Sequence, residues 1–146
     1  MIICDEYLAL AALSENLPFS TTARSVATTP AAWSRVLRSR HRAHSTHHIT
    51  AGRLNALINQ LSPDGQAKLT TPSPQLLNIL DPRPFLDTSA RLTIKYRLSY
   101  MAAEMAAAAI FHNVALYFAR ERNVPPGIRD LLEHENLPGI HITFMH

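Results

Sequence analysis

Short apolar runs alternate along this chain with stretches of helical period. Strands separated by helical crossovers can pair only in parallel, so the order predicts a small α/β sheet covered by helices. Met1-Ile2-Ile3-Cys4 reads as a short buried strand ended by Asp5, and Glu6–Leu13 follows as a helix whose Tyr7, Leu8, Leu10, Ala11 and Leu13 suit packing on a sheet. Asp5 therefore falls at the carboxyl end of a strand, the edge of an open α/β sheet where ligands and catalytic groups collect.

The stretch from Asn16 to Thr29 is polar and reads as a connection. Thr29-Pro30 then supplies an N-cap and a proline at the first helical position. In the helix that follows, Trp33, Val36 and Leu37 share an apolar face, while Arg35, Arg38 and Arg42 fall together on another. Thr50 caps a second amphipathic helix with Leu54, Leu57, Ile58 and Leu61, and Ser62-Pro63-Asp64-Gly65 reads as a turn. Ala67–Thr71 is strand-like, and the prolines of Thr71–Pro84 allow at most a short helix near Leu76–Leu80. Helices are predicted over Phe85–Arg97, over Tyr100–His112 between Ser99 as cap and Asn113 as stop, and over Ile128–His134; strands are predicted over Val114–Phe118 and Ile140–Phe144. Four strands are visible, so the expectation is a mainly parallel sheet of four to five strands in one domain spanning residues 1–146.

With 146 residues, 47% of them hydrophobic, the chain matches the commonest domain size and buries enough surface to need no disulfide or structural zinc. Its lone cysteine, Cys4, reads as an ordinary buried side chain in a reducing compartment. Asp5 and Glu6 stand where a secretory leader needs positive charge and an apolar run. The most apolar stretch, Met101–Ala119, is interrupted by Glu104 and His112, so a cytoplasmic protein without a membrane span is expected.

Net charge is only +3, yet the segment between Asn16 and Pro63 holds no acidic residue and six arginines. Arginine suits bidentate contact with phosphate, so Arg35, Arg38 and Arg42 are candidate RNA phosphate contacts. His41, His44, His47 and His48 lie in the same region but lack an accompanying carboxylate or cysteine, which favours solvated histidines adding phosphate contacts over a zinc site. Trp33 could stack on a base, but its spacing to Val36 and Leu37 makes it a core residue. Gly-rich phosphate loops, paired CxxC, HExxH and GxSxG motifs are all absent, which excludes the usual kinase, dehydrogenase and zinc-finger readings.

Acidic residues at strand ends remain, and they carry a resemblance. Ile2-Ile3-Cys4-Asp5 followed by Tyr7-Leu8-Ala9-Leu10, then YRLSY (Tyr96–Tyr100), AAEMAAAAI (Ala102–Ile110), VALYF (Val114–Phe118) and LPGIHI (Leu137–Ile142) together resemble the PIN-domain nuclease family, especially its VapC-like toxins. The resemblance implies carboxylates gathered at one sheet edge around Mg²⁺ or Mn²⁺ for RNA cleavage, a homodimer and an antitoxin partner. Magnesium takes hard oxygen ligands and keeps several waters, so two or three carboxylates plus the phosphate suffice.

Asp5 matches the family's first acid. Where the second is expected, Ala31, Ala32, Trp33 and Ser34 offer no carboxylate. Glu104 stands two residues past the expected third, an offset that turns a helical side chain by about 200°. The fourth falls near the end of the Val114–Phe118 strand, where Arg120 or Glu121 takes the place depending on the register. Asp5, Glu104 and Glu121 are therefore the candidate catalytic and metal-binding residues of an endoribonuclease, or the remnants of such a site in a relative that binds RNA without efficient cleavage. As purely structural groups, Asp5 would serve as an N-cap, Glu104 as a first-turn helix carboxylate and Glu121 as a solvated residue paired with Arg122. The reading from another class is a non-enzymatic interaction module that binds an acidic partner through the arginine face.

Overall fold

The computed structural model describes residues 1–19, 25–43 and 52–143. It bears out an α/β fold with an all-parallel sheet, and the sheet has five strands: β1 (Ile2–Cys4), β2 (Val26–Thr28), β3 (Asn78–Ile79), β4 (Leu116–Phe118) and β5 (Ile140–Ile142), in the spatial order β3-β2-β1-β4-β5. From β1 the chain steps outward to β2 and β3, then returns past β1 to place β4 and β5 on the other side. The reversal lies between β1 and β4. In an open parallel sheet that is where the crossovers part and leave a crevice at the carboxyl ends.

Around the sheet stand α1 (Glu6–Leu13), α2 (Pro30–Ala43), α3 (Arg53–Asn59), α4 (Pro63–Ala67), α5 (Leu86–Tyr96), α6 (Tyr100–His112) and α7 (Ile128–His134). On one face, Ile2, Cys4 and Val26 pack with Leu8, Trp33, Val36, Leu54, Ile58, Leu69 and Leu77. On the other, Ile3, Ala27, Leu116 and Phe118 meet α6, with Leu92, Ile128 and Leu131 behind it. Six alanines of α6, Ala102, Ala103 and Ala106–Ala109, are buried, and side chains of that size let the helix lie close against the strands. Trp33 is a core residue, 4% exposed, with its indole N–H donating to the Leu69 carbonyl at 3.0 Å. Cys4 is fully buried, and burial pushes its thiol well above the ordinary range.

The predicted caps act as expected where the chain is long enough to show periodicity. Ser99 Oγ accepts from the Ala102 amide at the start of α6, and Asn113 ends that helix with φ +54°. Gly127 precedes α7 with φ +88°, and a side chain there would come within 2.7 Å of Leu98 Cδ2.

Several local expectations are corrected. The polar stretch before Thr29 contains β2, buried along its whole length, and Ala67–Thr71 forms no strand. The strand of that region is β3, inside the proline-rich stretch, and it takes the place of the short helix expected there. Ser62-Pro63-Asp64-Gly65 opens α4, because Ser62 Oγ accepts from the Gly65 amide and Pro63 fits the first helical position. Gly52, and not Thr50, stands at the N-cap of α3; Thr50 lies outside the described residues. Leu86, expected among the contacts of α5, is 47% exposed.

Candidate functional site

Asp5 leaves the carboxyl end of the central strand, where it faces two elements at once. Its Oδ1 accepts from the Leu8 amide at 2.9 Å and caps α1. Its Oδ2 accepts from the Ala119 amide at 2.9 Å, just past β4, and from Asn123 Nδ2 at 3.3 Å. Both carboxylate oxygens are thus engaged, and Oδ2 spans the β1–β4 crevice. The residue is 1% exposed, and burial raises its pKa against the lowering effect of these hydrogen bonds.

Glu6, which the sequence did not single out, lies beside it. It is 3% exposed and accepts from Arg35 Nη1 at 2.6 Å. Burial raises its pKa most, the neighbouring Asp5 charge raises it further, and Arg35 works the other way. Arg35 therefore neutralises an internal carboxylate, and of the three arginines predicted to grip phosphate, Arg38 and Arg42 keep exposed side chains apart from that pair. His41 is exposed; His44, His47 and His48 lie outside the described residues.

Glu104 is 2% exposed on α6 and accepts from the Ala31 amide at 2.8 Å. It caps the first turn of α2 from another helix, which is a different role from that of a carboxylate serving its own helix dipole. Tyr100, one turn earlier, has its phenol pushed up by desolvation and then by the Glu104 charge. Glu121 sits in a 3₁₀ turn over Glu121–Asn123, with its side chain 67% exposed, and pairs with Arg129 rather than Arg122.

A hard divalent ion needs carboxylate oxygens turned toward one point. Here Asp5 is directed to two backbone amides and an asparagine, Glu6 to an arginine, Glu104 to the start of α2 and Glu121 outward to Arg129. Among the described residues no group of three or more His, Cys, Asp or Glu is arranged to hold a metal ion, so Asp5, Glu104 and Glu121 do not assemble the centre the resemblance implies.

Positive charge gathers at the same end of the sheet. Arg120 and Arg122 follow β4 directly, and Arg53 opens α3. Desolvation lowers the Arg120 pKa, and the nearby charges of Arg53 and Arg122 lower it further. Composition hid this set, since Arg120 and Arg122 lie far from the arginine-rich segment in sequence. The signal was available in Arg120-Glu121-Arg122 following a predicted strand.

No protein-family model and no curated protein matches the chain. Among the described residues no helix is long and apolar enough to cross a membrane.

Proposed function

We propose that this chain is a PIN-like, RNA-directed protein that binds the phosphate backbone at the carboxyl edge of its sheet and cleaves it poorly or not at all. One observation carries the reading: at the crevice between β1 and β4 Asp5 and Glu6 are bonded within the protein, while Arg120 and Arg122 follow β4 at the same edge and the charge of Arg53 also bears on Arg120. Arginines gathered at one edge create a positive potential, and an RNA phosphate offsets it. Arg38 and Arg42 extend the basic surface along α2.

Fluorescence anisotropy with a labelled single-stranded RNA, measured across a salt series, tests the binding. The logarithm of affinity falls with the logarithm of salt, and Arg53/Arg120/Arg122→Ala makes that slope shallower by about 0.7 for each phosphate no longer neutralised. An unchanged slope and affinity would overturn the assignment. Binding of an acidic peptide in preference to RNA would favour the non-enzymatic interaction module instead. Manganese calorimetry and RNA integrity assays address cleavage: Mn²⁺ binding together with Asp5-dependent degradation would restore the metal-dependent endoribonuclease with Mg²⁺ or Mn²⁺ as cofactor. The homodimer and antitoxin partner belong to the PIN resemblance, and sedimentation equilibrium tests the first.

A further inference from the structure

The parallel pairing of β4 with β5 sets Tyr117 beside His141 in register. Side chains alternate across a strand, so Leu116 and Phe118 enter the α6 side of the sheet while Tyr117 packs toward the α1 side. Ile140 and Ile142 likewise pack against the α6-side core and leave His141 on the opposite face. The two rings stack, with centroids 4.7 Å apart and planes 23° from parallel. Phe19 meets Tyr117 with its centroid 5.7 Å away and its ring tilted by 42°.

That separation matches the spacing between neighbouring strands, so the stack runs across the sheet. Its outer rung is His141, exposed on the edge strand β5, which pairs only with β4 among the described residues. An exposed ring stacked through one face offers its other face to a planar partner. β4 ends at Phe118 and Arg120 follows two residues later, at the carboxyl edge of the sheet, where the charges of Arg122 and Arg53 bear on it. An aromatic platform beside clustered guanidinium groups matches the paired demands of a single-stranded nucleic acid, flat bases and an anionic backbone.

We infer that His141, backed by Tyr117, is a stacking platform for an unpaired RNA base whose flanking phosphates are met by Arg120, Arg122 and Arg53. The inference rests on the RNA-directed reading above and adds the base contact to it. Stacking needs only a π-face, so the platform tolerates any base and discriminates against strands that have none.

Anisotropy titrations with a labelled single-stranded RNA octamer and with its abasic counterpart test the platform, using the wild-type chain, His141→Ala and His141→Trp. His141 is exposed, and circular dichroism confirms that each variant is folded. The expected result is that His141→Ala weakens binding of the octamer on the order of 10-fold, leaves the abasic strand unaffected, and that His141→Trp restores the octamer. Equal affinity of wild type and His141→Ala for the octamer, or an equal loss on the abasic strand, overturns the platform while leaving phosphate binding in place. If neither strand binds the wild-type chain, the RNA-directed reading falls and the platform falls with it.

Discussion

Asp5 and Ala119 are 114 positions apart in sequence, and a 2.9 Å hydrogen bond from the Ala119 amide to Asp5 Oδ2 joins the ends of β1 and β4. The bond closes the crevice from within, because the same carboxylate also caps α1. A side chain at a position suited to catalysis thus holds two strand ends and a helix in place.

Removing that carboxylate tests its structural role. Asp5→Ala deletes the cap, at a cost of about 1 kcal/mol, and leaves the buried Ala119 amide without its acceptor, at a further cost of roughly 1–3 kcal/mol. Urea unfolding should show a loss of at least about 2 kcal/mol. A midpoint equal to that of the wild type would show that the carboxylate does not hold the strand ends.

The arginines of α2 should separate into two kinds. Arg35→Ala strips the buried Glu6 of its partner and should destabilise by roughly 2 kcal/mol, whereas Arg38→Ala and Arg42→Ala, at exposed positions, should stay within about 0.5 kcal/mol of the wild type. Thermal melts of the three variants make the comparison. Equal effects at all three positions would contradict the Glu6 pairing.

Glu104 offers a test by conservative exchange. Glu104→Gln keeps an acceptor for the Ala31 amide and should cost less than about 1 kcal/mol, whereas Glu104→Ala leaves that amide unmet and adds a cavity, for about 2 kcal/mol or more. Helical content over α2 should fall with the alanine variant only, as read by hydrogen exchange at Ala31 and its neighbours. Similar losses in both variants would argue for a charge effect in place of capping.

Glu135 governs the acid side. Hydrogen bonds from Arg91, foremost, and from Tyr96 and Lys95 hold its carboxyl down at about 2, below the ordinary 4.5. A depressed folded-state pKa stabilises the fold above the unfolded value and loses that contribution as pH falls from about 4.5 through about 2. Glu135→Gln should therefore flatten the stability profile across that window. Asp5 and Glu6 act in the opposite sense: burial raises both, so protonating them as pH falls through their elevated values favours the folded chain. In the Glu135→Gln background this opposite slope should become visible, and Asp5→Asn/Glu6→Gln should remove it.

The long elements of the fold were legible because their own residues specify them. Ser99 and Asn113 bracket α6, Thr29-Pro30 opens α2, and the runs of β1, β4 and β5 are too apolar for loops. β2 and β3 were not legible: β2 is as long as β1, β4 and β5 but lies in a polar stretch, β3 has only two residues among prolines, and both exist because neighbouring backbones accept them. At Ser62-Pro63-Asp64-Gly65 the same chemistry serves a turn or a helix start, and the chain takes the second. In the site, the position of Asp5 at a strand end is readable from the apolar run before it. The partners of Glu6 and Glu104 lie 29 and 73 positions away, and no local pattern reports such pairings. Glu121 does lie on the exit from β4, but it bonds to Arg129, eight positions on, because the 3₁₀ turn directs it there.

The bond from Ala31 to Glu104 ties the leading turn of α2 to a helix on the opposite layer. The bearing of the arginine ridge is thereby decided by a glutamate encoded much later in the chain. A peptide copied from Pro30–Ala43 would retain the ridge's sequence of charges and lose its aim.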